Sequence, residues 1–488
     1  MKRLLFYLLC LVLAACSVEV PTAQKVLPQL PDIYPDYLGV TIPANIAPLR
    51  FKLTHETEEA VAVLSRGDQQ LVEPGKDGKF LFGESQWADL LKGAEGDSLQ
   101  VTVYEKQQGT WVAYAAFSLY VAPEPVDTHL AYRLIYPGYE PWYDLGIYQR
   151  DLTTYQEKCI LNNKQTDNNC MNCHSFCLQN PDQMMFHMRA VHGGTYLVQN
   201  GNVEVLDGKV NDDIASLVYP SWHPSGKFIA FSTNKTFQAF HRQDKNRIEV
   251  YDEKSDVLVY DVDRHEVLTD SLLFSPKAFE TFPTFSPDGK TLYFCSAEAD
   301  TLQLPRDMKQ VRYSLCSIAF NPESRTFGTQ VDTLYNARTE GRSAKFPRVS
   351  PDGKYLVFTL SDYGNFSIWH HDADLFIYDL NKHSYVAMEE ANSQDTESYH
   401  SWGSNSRWMV FGSRRDDGLY TRPYICYIPE DGQARKAFMV PQEDPDFYRD
   451  FLYSYNIPEF IKGEVKVSSK TLVDAANHST PQTIHLKK

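Results

Sequence analysis

A short motif returns several times in the second half of this 488-residue chain, and it constrains the fold more than any other feature. It reads Tyr219-Pro220-Ser221-Trp222-His223-Pro224-Ser225-Gly226-Lys227-Phe228-Ile229-Ala230-Phe231, then Phe282-Pro283-Thr284-Phe285-Ser286-Pro287-Asp288-Gly289-Lys290-Thr291-Leu292-Tyr293-Phe294. Phe346 to Phe358 is a third copy, and Tyr399 through Trp402 to Phe411 a degraded fourth. Each full copy runs a short strand into a Pro-Asp-Gly or Pro-Ser-Gly turn. Proline presets φ there, glycine accepts the left-handed conformation, and an apolar strand leaves. The first prolines of the copies lie 63 and 64 residues apart. That is longer than a minimal four-stranded propeller blade and fits blades with insertions. Val257–Asp261 and Leu375–Asp379 fall after the turns, where outer strands of a blade belong. One such sheet cannot bury both faces alone, so several must pack radially into a closed all-β propeller.

The amino terminus predicts export. Lys2 and Arg3 precede an apolar run, Leu4 to Ala15, of secretory-signal length and too short to span a bilayer as an anchor. It ends Leu13-Ala14-Ala15-Cys16, which resembles the lipobox of bacterial lipoproteins, so residues 1–15 read as signal peptide and Cys16 as the lipidated anchor. Residues 16–36 read as a tether. From 37 to 125 the alternation of Leu49, Phe51 and Leu53, and of Leu99, Val101 and Val103, predicts a small β-sandwich, closed by Pro123-Glu124-Pro125. Residues 126–194 read as a Cys-rich connector, 195–470 as the propeller and 471–488 as a tail. A net charge of −16 argues against nucleic acid as a partner. No Gly-x-Ser-x-Gly elbow or phosphate-cradling glycine loop appears, so enzyme chemistry finds little support.

The connector holds Cys170-Met171-Asn172-Cys173-His174, a spacing at which two thiols can take the vinyl groups of haem and the imidazole its iron. That assigns Cys170 and Cys173 to thioether bonds and His174 to the proximal position. Asn180-Pro181 predicts a helix start and Gly193-Gly194 its stop, with Met184, His187, Met188 and Val191 on one face. His187, then Met188, is the expected sixth ligand. Two alternatives stay open: zinc or an iron–sulfur cluster on Cys159, Cys170, Cys173 and Cys177 with His174, and structural disulfides, with Cys159 paired to Cys177. Trp369 to Asp374, rich in ligand-type residues, reads as an inter-strand loop. Ser413 to Asp417 reads as a solvated turn.

The lipobox, the β-rich front region, the Cys-Met-Asn-Cys-His-Ser-Phe run at 170–176 and the repeats together make the chain similar to TolB-like β-propeller lipoproteins of Gram-negative bacteria, a group often labelled as cytochrome c biosynthesis proteins. The resemblance implies six or more blades, a lipid-anchored place in the cell envelope, at the outer membrane, and a covalent haem c. Two functions follow as expectations. One is electron transfer or redox sensing by that haem, with the propeller as a protein-docking scaffold. The other is a non-enzymatic propeller that binds a protein or glycan and whose Cys cluster is structural.

Overall fold

A computed structural model describes residues 19–136, 143–244, 246–299 and 303–487. Cys16 and the signal segment lie outside them. The chain divides into two compact units, 1–125 with 441–447, and 126–440 with 448–488.

The first unit holds a seven-stranded mixed sheet and a three-stranded sheet. Its core is set by the expected alternation: Leu99, Val101 and Val103 are buried along Ser98–Gln107, and Phe51 and Leu53 along Phe51–Leu53. The helix Glu84–Leu91 buries Trp87, Leu90 and Leu91, with the Trp87 indole N–H donating to the Ile46 carbonyl at 2.9 Å. Part of the expected tether is structured. Lys25–Val26 pairs in parallel with Val112 and Ala113, and Ile33–Tyr34 pairs with Lys52 and Leu53. The stretch 441–447 also belongs here, Asp444 pairing with Lys79 at 2.7 Å.

The second unit is a β-propeller with six sheets among the described residues. Blade 1 is closed by the C-terminal part of the chain: Ser454–Ile461 is its innermost strand, followed outward by His129–Ile135, Leu145–Asp151 and Glu157–Asn162. Blade 2 is Met171–Phe176, Gln183–Met188, Gly194–Gln199 and Asn202–Leu206. The innermost strands of blades 3 to 6 are Val218–Trp222, Ala278–Phe285, Ser343–Val349 and Glu397–Trp402, so each visible repeat copy opens a blade. Apolar clusters fill the wedges between successive blades; the first joins Leu145, Ile147 and Ile160 of blade 1 to Phe176, Met184 and Phe186 of blade 2.

Three expectations are corrected. Residues 126–194 are no connector; they supply three strands of blade 1 and the first two of blade 2. The expected helix after Asn180 is instead the strand Gln183–Met188, hydrogen-bonded on both sides, to Met171–Phe176 and to Gly194–Gln199. Met184, Met185, Phe186 and Met188 are all fully buried. A strand covered on both faces reads as a continuous apolar run, and the capping signals at Asn180-Pro181 serve a turn. The tail is not a tail either. Ser469–His478 is a helix that buries Leu472 against the blade 1 and 2 wedge, and His485–Leu486 adds to the edge of blade 3.

Candidate functional site

Every innermost strand carries the same irregularity. Cys173, Tyr219, Phe282, Phe346, Tyr399 and Ile457 each sit at φ between 48° and 55°, and at each the strand register slips. A bulge of this kind turns the local side chains, so that residues one apart no longer simply alternate across the sheet. Aligned on it, the strands read Cys173-His174-Ser175-Phe176, Tyr219-Pro220-Ser221-Trp222, Phe282-Pro283-Thr284-Phe285, Phe346-Pro347-Arg348-Val349, Tyr399-His400-Ser401-Trp402 and Ile457-Pro458-Glu459-Phe460. Cys173-His174 is thus the blade 2 copy of the propeller's own repeat, and its nearest likeness is Tyr399-His400.

The bulged residues block the centre of the propeller. Tyr219 and Phe282 have ring centroids 4.6 Å apart, Phe282 and Phe346 4.1 Å, and Phe346 and Tyr399 4.5 Å. On one side of this plug a cavity of about 160 Å³ is ringed by the residues two places after each bulge: Ser175, Ser221, Thr284, Arg348, Ser401 and Glu459. One polar side chain per blade therefore faces a common space. Trp222 and Trp402 brace it, their indole N–H groups donating to the carbonyls of Ser175 at 3.3 Å and of Arg348 at 3.0 Å.

The ring's electrostatics are uneven. Arg348 donates to the Pro347 carbonyl at 3.1 Å and forms no ion pair among the described residues; desolvation draws its pKa down, against the pull of Glu459. Glu459 accepts the Phe176 N–H at 3.1 Å, and desolvation pushes its carboxyl up to about 8, which favours its protonated form. His174 and His400 are buried neutral imidazoles, each drawn down to about 3 by desolvation. His400 Nε2 donates to the Val357 carbonyl at 2.9 Å; the His174 ring nitrogens make no well-formed hydrogen bond, the backbone of Ile457 being the influence that opposes their desolvation. Arg348 is the one cation of the ring.

The opposite side of the plug is a closed polar network. The long hairpin Phe228–Phe240 and Ile248–Asp261 carries Glu249 and Asp252 to the loop of blade 5. Glu249 accepts from His370 Nε2 at 3.0 Å and from Tyr363, and Asp252 accepts from Tyr313 at 3.1 Å and from Asn365. Lys345 contacts Ser361, whose hydroxyl lies 3.3 Å from His370 Nδ1. Ser361, Lys345 and His370 are at most 1% exposed, so this chain of groups pins the hairpin over the channel. The Trp369 to Asp374 segment is part of that pin. Arg414, expected on a solvated turn, is 2% exposed with its guanidinium 3.2 Å from the Trp369 ring centre.

The predicted haem residues do not converge. Cys170 is buried in the wedge between blades 1 and 2, whereas Cys173 faces the cavity. His187 meets Thr195 at 3.3 Å within blade 2, and Met188 lies in the same wedge as Cys170; neither reaches the cavity. A covalent haem needs both thiols on one edge of a flat macrocycle and a slot beside the proximal imidazole. His174 is 1% exposed, and 160 Å³ falls well below the roughly 300–1,000 Å³ of pockets for cofactor-sized ligands. The residues present do not fit the group.

The alternatives fare no better. Cys159 is on the outermost strand of blade 1 and Cys177 follows the innermost strand of blade 2; both are free thiols. A disulfide spans Cα atoms at most about 7 Å apart, while four strands at ~4.8 Å spacing separate a blade's edge from its centre by roughly 14 Å. Among the described residues no three His, Cys, Asp or Glu side chains are placed to hold a metal ion.

Arg348 and Glu459 escaped the sequence reading. Arg348 stands in a quoted repeat copy at the position where others have Ser or Thr, and Ile457-Pro458-Glu459-Phe460 repeats the Phe-Pro-Thr-Phe spacing without its Pro-Asp-Gly turn.

No protein-family model matches the chain, and no curated protein matches it. Among solved structures it is similar to a hypothetical selenium-binding protein from Sulfolobus tokodaii, at 10% identity and a TM-score of 0.42 over 85% of this chain and 96% of that one. It is also similar to an oligogalacturonate lyase from Vibrio parahaemolyticus (12%, 0.36, over 61% and 71%) and to a periplasmic gluconolactonase from Pseudomonas aeruginosa (12%, 0.34, over 82% and 99%). Likeness at this level assigns no activity to this chain.

Proposed function

We propose that the protein is a non-enzymatic binding propeller, held at the cell envelope by lipid on Cys16, that takes one residue of a glycan into the mouth of its channel. The six-membered ring of polar side chains carries this reading. It gathers hydroxyls from four blades, a guanidinium and a protonated carboxyl around one space, with an aromatic floor that closes it off. Hydroxyl-rich ligands need many donors and acceptors at fixed angles, and a ring drawn from six rigid strands supplies them at small entropic cost. The volume equals about five waters at ~30 Å³ each, room for the polar edge of one sugar residue whose remaining ring stays at the mouth. The lipobox supports the envelope placement.

Ser401 offers the test because it lines the cavity and its hydroxyl makes no hydrogen bond among the described residues that a substitution would break. Calorimetric titration of the full chain with envelope oligosaccharides should give saturable binding, and Ser401→Tyr, which fills the cavity, should remove it with the thermal melt unchanged. Equal binding by the filled variant, or none by the wild type, would overturn the proposal.

A further inference from the structure

We infer that the sugar this cavity accepts is an acidic one, a uronic-acid residue whose carboxylate is held by Arg348; the inference rests on the glycan-binding reading above. The ground is an unpaired cation in a secluded place. Burial is unfavourable for a charge unless a partner of opposite sign or several hydrogen bonds meet it. Several other arginines of the propeller have such partners: Arg415 reaches Glu397 at 3.0 Å, Arg325 reaches Asp261 at 2.8 Å, and Arg422 donates to the carbonyls of Tyr453 and Phe451 at 2.8 and 2.9 Å. Two buried ones form no ion pair among the described residues, Arg414, which lies on the Trp369 ring, and Arg133, but neither lines the cavity. Arg348 has one hydrogen bond, to the carbonyl of its own neighbour, and no ion pair among the described residues. The one carboxyl across the ring, Glu459, is committed through Oε1 to the Phe176 N–H.

The ring therefore holds a donor fork with nothing to grip, and every other group at hand favours its neutral form at pH 7. His174 and His400 are uncharged there, and the remaining ring members are hydroxyls and the Glu459 carboxyl. A planar guanidinium fits a carboxylate through two parallel hydrogen bonds, a geometry that an alcohol cannot reproduce. Ser401, Thr284 and the protonated Glu459 then face the sugar's hydroxyls. The chain's overall charge of −16 disfavours anions at long range, but that field is screened within ~8 Å at physiological salt, and the contact is made inside the cavity.

Glucuronate, its neutral methyl ester and glucose separate the possibilities, titrated against the full chain and against Arg348→Met and Arg348→Lys. Glucuronate should bind the wild type about ten- to a hundredfold more tightly than the ester, the span of a charge-assisted pair. Arg348→Met should erase that preference, and Arg348→Lys should restore part of it as a point charge without the fork. Equal affinity for glucuronate and the ester overturns the acidic-sugar inference and leaves the glycan reading standing. No saccharide binding at all removes both. Inorganic phosphate competing better than glucuronate would make this a free-anion site and would likewise overturn it.

Discussion

Phe346 tests the proposition that one backbone device builds both the floor of the cavity and the ring above it. The residue is 2% exposed, its ring lies 4.1 Å from that of Phe282 and 4.5 Å from that of Tyr399, and its φ is +50°. Truncating a buried phenylalanine to alanine costs about 3–5 kcal/mol, within which the two ring pairs account for roughly 0.5–1.5 kcal/mol each. Glycine would ordinarily be worse still, since it gives up about 0.5–1 kcal/mol relative to alanine in a regular element. Here the order should invert. A left-handed φ costs an L-residue roughly 1–2 kcal/mol that glycine does not pay, and this outweighs the flexibility of the unfolded chain. Phe346→Gly should therefore be no less stable than Phe346→Ala, with both some 3 kcal/mol or more below wild type. Urea unfolding followed by tryptophan fluorescence would measure it, with the slope checked for constancy so that midpoints compare directly. If Phe346→Ala unfolds at a clearly higher urea concentration than Phe346→Gly, the strand is regular at this point and the bulge-based alignment of the six blades fails.

Three further outcomes are expected. Burial pushes the Glu280 carboxyl up to about 8, with Asp256 adding to the effect; a carboxyl raised on folding contributes stability that is whole below pH ~4.5 and is lost as pH rises through 8. At ~1.4 kcal/mol per unit, wild type should lose up to a few kcal/mol between pH 5 and pH 9 that Glu280→Gln keeps, and parallel stability curves for the two would refute this. Alkylation in denaturant without reductant should label Cys159, Cys170, Cys173 and Cys177 together, and intact mass from a host able to attach haem should match the lipidated chain alone; an added haem mass would reverse the assignment made for His174. Cys16→Ser should move the protein from the membrane fraction to the soluble one, and unchanged partitioning would exclude the lipid anchor.

The parts of the fold that showed in the sequence are those in which a turn and an alternation coincide. Phe282-Pro283 through Phe294 announces a bulge, a Pro-Asp-Gly turn and an apolar strand in thirteen residues, and blades 3 to 5 follow from three such copies. Blade 1 was hidden because its innermost strand, Ser454–Ile461, is more than 300 residues from His129–Ile135, the strand it pairs with, a separation that no local pattern reports. Blade 2 was hidden by substitution. With Cys173 in place of an aromatic residue and His174 in place of proline, the repeat took on the spelling of a haem-attachment site. The helix expected over Met184 to Val191 failed for a related reason: side chains buried on both faces of a strand satisfy a helical spacing as readily as an extended one.

The distribution of residue types around the bulges follows from unequal constraints on neighbouring positions. The bulged residue itself must tolerate a left-handed φ and also fill the axis, so four of six blades spend a large ring there. The next position is proline in four blades and a buried histidine in the other two, held by packing. The third position supplies one polar side chain from every blade to the cavity, and there the blades range from neutral to charged: three serines, a threonine, an arginine and a glutamate. Substitution at the third position alters what the cavity can hold without touching the plug, whereas substitution at the first collapses plug and ring together. A scaffold with that division can exchange ligands by changing one residue per blade. On the glycan-binding proposal, the departure of Arg348 and Glu459 from the Ser/Thr pattern of the other four is where specificity would be set.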